Sequence, residues 1–203
     1  MLGPVILRGI ITVVDYSALT STESYLMKNE PVYHYTTGNK LSLISASQGL
    51  IPTSVMIAPK EKPVLWFSKD SDYEPTAIKL IMRSDGKAYR PTMKELHELI
   101  GLYRFSFSPR DNRLLTFSQL QRVAHISPQG MSAMVASGLR IGAKPTNWFG
   151  VMTAVPLSEL IFEEWTGSAW VPAQLQEAVE RVCNSGLVIQ SKSAYALGLT
   201  NAW

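Results

Sequence analysis

The chain has one cysteine, Cys183, in 203 residues. A single thiol excludes an internal disulfide framework and any zinc site built on several cysteines. A reducing, cytoplasmic setting is the expectation that follows. Charge is sparse as well, at 17% Asp, Glu, Lys and Arg. No Lys/Arg run marks the basic stripe common in nucleic-acid domains. The 19 cations exceed the 16 anions by three, a balance that permits an acidic partner without requiring one. Long apolar runs are also missing. Val5–Val14 is about half the ~20 residues a membrane helix needs, Arg8 interrupts it, and Asp15 follows it. No basic start precedes it, so it predicts neither a signal peptide nor a membrane segment. Its β-branched content predicts a buried strand instead.

The familiar catalytic and metal signatures are absent too. There is no HExxH, CxxC or HxH, no GxSxG elbow and no GxxxxGK[ST] phosphate loop. The three histidines, His34, His97 and His125, are too scattered to predict a metal site. His97 falls on a helical segment and reads as solvent-facing. Gly138–Lys144 has two glycines and two cations, Arg140 and Lys144, and reads as a helix end followed by a turn. Cys183 falls in the apolar half of a helical stretch and reads as an inert buried thiol.

What is present is a globular composition, 46% hydrophobic, in a chain long enough for one sizeable domain. Ser17–Glu30 is polar and reads as a linker or short helix. Residues 1–30 are therefore an N-terminal strand and linker, and 31–203 the main domain. Val32–Thr36 and Val64–Ser68 are aromatic and β-branched, each entered by a proline, which predicts two strands of one sheet. Between them Gly38-Asn39 signals a turn, and Lys40–Gln48 a short helix closing on Gly49. Thr92–Leu102 has helical spacing behind a Thr92/Glu95 capping box, and Tyr103–Phe107 alternates as a strand does. Helices are expected over Thr116–Ala124 and from Pro128 to Gly138. Strands are expected over Phe149–Val155 and Leu160–Trp165, with a hairpin turn between Trp165 and Trp170. An amphipathic helix follows over Ala173–Cys183. Pro75–Arg83 fits helix or strand, and Gly186–Trp203 is mixed. The order predicts a single α+β domain with a mixed or mostly antiparallel sheet and flanking helices.

Tyr33-His34-Tyr35-Thr36-Thr37 is the most unusual stretch. A histidine at a strand end can bond a ligand hydroxyl while aromatic neighbours stack on a flat ring; a satisfied edge histidine is the alternative. Glu163-Glu164 is the one pair of adjacent carboxylates late in the chain, and on a strand the two point to opposite faces.

These residues carry a resemblance. Tyr-His-Tyr-Thr-Thr, then Leu41 and Ile44, then Gly49-Leu50-Ile51-Pro52, resembles the opening of ADP-ribosyltransferase-like proteins, including RNA 2′-phosphotransferases and nucleic-acid-modifying toxins. Pro63–Ser68 (PVLWFS) is similar to their second motif. The likeness covers residues 31–83, and Trp66–Ala77 also resembles small bacterial and phage proteins. It implies NAD as the bound nucleotide, held through ribose by His34. Tyr35 or Trp66 would stack on a ring, and Thr36 and Ser68 would be accessory donors. A late glutamate would polarise the ribose hydroxyl: Glu164 first, then Glu163 or Glu159. The acceptor would be a protein, such as a host protein, or a nucleic acid. The alternative is a non-catalytic phage or mobile-element protein that captures a nucleotide or a host protein.

Overall fold

A computed structural model describes residues 4–7, 10–13, 30–52, 58–78, 80–82 and 86–185. The chain divides into two compact units, Met1–Glu30 and Pro31–Trp203. In the first, β1 (Pro4–Leu7) pairs antiparallel with β2 (Ile10–Val13), in register Pro4↔Val13 to Leu7↔Ile10. The single strand expected over Val5–Val14 is thus a hairpin. The expected linker over residues 17–29 and the tail from Gly186 lie outside the described residues.

The second unit is built on a seven-stranded antiparallel sheet. Its strands are β3 (Val32–Thr37), β5 (Leu65–Ser68), β8 (Leu102–Phe107), β9 (Leu115–Thr116), β10 (Trp148–Val151), β12 (Ile161–Trp165) and β13 (Trp170–Pro172). Their order across the sheet is β13-β12-β8-β3-β5-β10-β9. Two short ribbons stand apart: β4 (Gly49–Leu50) with β11 (Val155–Pro156), and β6 (Ile81–Met82) with β7 (Ala88–Tyr89). The five helices among the described residues are α1 (Gly38–Ser47), α2 (Met93–Ile100), α3 (Phe117–Val123), α4 (Pro128–Arg140) and α5 (Leu175–Asn184). The fold is α+β with an antiparallel sheet.

The sheet is covered on both faces. On the face that carries His34, Leu41 of α1 and Ala178 and Val182 of α5 join Val32, Phe67, Tyr103, Phe105 and Phe162 in one core. On the face that carries Tyr35, Leu96 of α2 packs with Tyr33, Tyr35, Tyr73 and Leu102. Leu120 of α3 packs with Val64 and Ala124 further along, toward β10. All six residues of β8 are therefore buried, although their alternation reads as a half-exposed strand. Full burial of a large apolar side chain contributes about 1.5–3 kcal/mol, and Phe105, Leu41, Leu96 and Leu102 are all fully buried.

Local signals mostly act as their chemistry directs. Thr92 and Glu95 close a reciprocal capping box on α2, with the Thr92 amide donating to the Glu95 carboxylate at 2.7 Å. Ser127 caps α4, and Pro128 takes its first position. Gly38-Asn39 opens α1 rather than forming a separate turn, and the left-handed cap of α1 is Gln48. Gly49 lies in β4, where an added Cβ would stand 2.7 Å from the Val155 carbonyl oxygen. It is needed for close backbone approach, not for helix termination. His97 is half-buried, with a buried Nδ1 that lacks a partner, because α2 packs its ring near Gly167 in the β12–β13 turn. Cys183 is exposed, since Ala178 and Val182 form the inward side of α5.

Candidate functional site

Cross-strand register arranges the predicted residues. His34 pairs with Phe105, which pairs with Phe162; Phe67 pairs with Phe149, which pairs with Thr116. The Tyr33↔Ser68 register joins the two halves, and the His34 and Phe67 rings meet edge-on at 5.9 Å between centroids. One row of side chains thus crosses six strands, with His34 the only ionisable member. It is buried at Phe105 and Phe67 and opens at His34, Phe149 and Thr116.

His34 is half-buried, and its Nδ1 lies 2.9 Å from the Trp66 carbonyl oxygen. A carbonyl only accepts, so Nδ1 carries a proton and donates it to Trp66, which in a neutral ring makes Nε2 the acceptor.

Thr36 shares the next row with Tyr103 and Glu164. Glu164 is thus on the His34 face, two strands away. At ordinary strand spacing the two Cα atoms are roughly 12 Å apart, too far for direct contact. Arg181 of α5 donates to the Glu164 carboxylate. The Tyr103 hydroxyl is held above its ordinary pKa by burial first and by the Glu164 charge second.

Tyr35, Trp66 and Ser68 take the opposite face. Trp66 touches His34 through its backbone carbonyl, while its ring packs 6.3 Å from Phe117 of α3. Tyr35 stacks edge-on against Tyr73 at 4.9 Å and donates its hydroxyl to the Asp70 carbonyl. Burial pushes the Tyr35 hydroxyl well above the usual tyrosine range. Ser68, 2% exposed, donates to the buried Glu74 carboxylate at 2.8 Å, which also accepts from the Thr76 amide at 3.1 Å. His34, Thr36 and Glu164 are therefore brought onto one face, and Tyr35, Trp66 and Ser68 onto the other.

The Tyr35 face also holds an ion pair that the sequence reading missed. Arg104 of β8 donates in parallel from Nε and Nη2 to both oxygens of Glu163, each at 2.8 Å. Its guanidinium lies 4.0 Å from the Tyr33 ring centroid and 4.6 Å from that of Trp170. Its remaining nitrogen donates to the Ser71 carbonyl, and the Trp170 Nε1 donates to the Asp72 carbonyl at 2.8 Å. Three consecutive carbonyls, of Asp70, Ser71 and Asp72, are thus bonded by side chains from three strands. The signal in the sequence was an arginine inside an aromatic alternation. Glu163 is committed to this pair, and Glu159 to Arg113.

A cavity of about 410 Å³ lies elsewhere, between β12 and α5, lined by Leu157, Leu160, Phe162, Ala173 and Leu175. Its apolar walls include none of the predicted site residues. Among the described residues no three His, Cys, Asp or Glu side chains gather as a metal cage, and no helix is long and apolar enough to cross a membrane.

No family model, no curated protein and no solved structure matches this chain.

Proposed function

We propose that the domain binds NAD, or a closely related ADP-ribose nucleotide, and acts as an ADP-ribosyltransferase-like enzyme on a protein or nucleic-acid acceptor. The observation that carries the reading is His34: a half-buried ring in a central strand, with its tautomer set by the Trp66 carbonyl. An acceptor fixed in that way suits a ribose hydroxyl. Thr36 and Glu164 on the same face complete the set that would hold the nucleotide. Trp66 and Ser68 are placed less favourably for contact, since one ring packs on α3 and the other side chain bonds Glu74.

NAD, when bound, supplies the ADP-ribosyl group with nicotinamide as leaving group. Glu164 would act electrostatically, its carboxylate facing the positive charge that develops at the ribose. Arg181 would orient that carboxylate and also weaken its field.

Calorimetry with NAD and a nicotinamide-release assay test this. His34→Ala is expected to lose NAD binding. Glu164→Gln is expected to keep binding and lose turnover by a few hundredfold, as for a group acting mainly in the transition state. Absence of NAD binding by the wild type would reject the reading. The Arg181–Glu164 pair favours one second reading, a non-catalytic nucleotide-binding protein, which NAD binding without nicotinamide release would select.

A further inference from the structure

We propose that the β9–β10 end of the domain is a docking surface for single-stranded nucleic acid. The proposal does not rest on the NAD reading. Between Asp111 and Glu159 the chain runs 47 residues without an Asp or Glu, yet carries Arg113, Arg122, Arg140 and Lys144. The next stretch reverses the sign: Glu159, Glu163, Glu164, Glu177 and Glu180 precede Arg181 with no cation among them. The fold turns this polarity along the chain into polarity in space. The acid-free stretch builds β9, α3, α4 and β10 at one edge of the sheet, and Glu163, Glu164, Glu177 and Glu180 line β12 and α5 toward the other. Four strand spacings separate β10 from β12, about 19 Å. That is more than twice the ~8 Å screening length at physiological salt, so the two ends present separate fields.

The cations at the basic end are exposed. Lys69, Arg122, Arg140 and Lys144 all face solvent, and none has a carboxylate partner among the described residues. Arg113 is different, since Asp111 and Glu159 neutralise it. Lys69 Nζ stands 4.9 Å from the centroid of Phe149, the half-buried outer ring of the His34 row. Its backbone amide, bonded to the Asn147 carbonyl at 2.9 Å, ties that segment to the start of β10. A flexible ammonium stem beside a half-exposed aromatic ring suits a strand whose base stacks while its phosphate meets the cation. An acidic protein would satisfy the charge but has no use for the ring. A duplex keeps its bases stacked and would likewise leave the ring unused.

The experiment is fluorescence anisotropy with labelled 12-nucleotide single-stranded RNA and DNA, a duplex of the same sequence, a polyglutamate peptide and anionic vesicles, all without NAD. Single strands are expected to bind at 50 mM salt and to weaken by roughly 50-fold at 200 mM if four phosphates are neutralised. The combined Lys69→Gln, Arg122→Gln, Arg140→Gln, Lys144→Gln variant is expected to bind at least tenfold more weakly and to lose most of the salt dependence. Phe149→Leu should weaken binding while leaving the salt dependence intact. Lys94→Gln, a change to the exposed partner of Glu98 on α2, should leave binding as it is. The RNA and DNA arms tell which strand is preferred. The proposal is overturned by no binding at 50 mM salt, by equal or tighter binding of duplex, polyglutamate or vesicles, or by wild-type binding of a folded fourfold variant. Far-UV circular dichroism checks that the variants remain folded.

Discussion

Arg104 and Glu163 show how one residue pair can limit what a neighbour is able to do. Burial opposes the Arg104 charge, but the paired hydrogen bonds and the charge of Glu163 outweigh it and hold the guanidinium above its ordinary pKa. The side chains are only 8% and 15% exposed, so neither charge has water to fall back on. A buried pair of this kind adds little net stability over an apolar replacement, yet removing one partner strands the other. Glu163→Ala is accordingly expected to cost about 3–5 kcal/mol, read as a lowered urea midpoint. Glu164→Ala should cost no more than about 1 kcal/mol, because its partner Arg181 is 52% exposed. Equal midpoints for the two variants would contradict this assignment. The contrast also bears on chemistry: a carboxylate that the fold cannot spare is a poor choice for a reaction, which leaves Glu164 as the better of the two.

At the scale of elements, the segment from Lys69 to Glu74 is not an open loop, although its composition reads that way. Tyr35, Arg104 and Trp170 bond its carbonyls from above the sheet, and Ser68 bonds Glu74 at its far end. Tyr35→Phe removes one of these bonds and leaves the ring packing in place. Amide hydrogen exchange across residues 70–74 should quicken severalfold, consistent with the loss of about 0.5–1.5 kcal/mol, while β8 and β10 exchange as before. Unchanged exchange in 70–74 would mean that the other bonds hold the segment alone. These ties explain what was readable beforehand and what was not. The strands Val32–Thr37 and Leu65–Ser68 and the caps of α2 and α4 depend on neighbours within a few positions, so pattern and propensity expose them. The Arg104–Ser71 and Trp170–Asp72 bonds span 33 and 98 residues. No local window contains both partners. Gly49 misleads for the same reason: its need for closeness comes from Val155, far along the chain. The candidate residues, His34 and Glu164 among them, could be named from the sequence. Which face each would occupy depended on sheet register.

For the whole molecule, the buried tyrosines couple ionisation to unfolding. Burial is the leading cause that raises Tyr35, Tyr73 and Tyr103 above the ordinary tyrosine pKa, reinforced at Tyr73 by Glu74 and at Tyr103 by Glu164. A group whose pKa is higher in the folded state favours folding below its unfolded pKa. That contribution is lost as pH rises above about 10, the value for an exposed tyrosine. Tyr35 and Tyr73 lie on one face of the sheet and Tyr103 on the other, so ionising them disturbs both cores. Tyr35 has a further stake, because its hydroxyl proton makes the bond to Asp70. Stability is therefore expected to hold level toward pH 10 and to fall steeply above it. Among the eight tyrosines, absorbance at 295 nm should reveal a late set, of at least these three, that titrates only as far-UV circular dichroism collapses. The late set should fail to retrace its curve on rapid return to neutral pH before refolding is complete. Reversible titration of all eight near pH 10 with the dichroism unchanged would show that the sheet does not keep these hydroxyls from water.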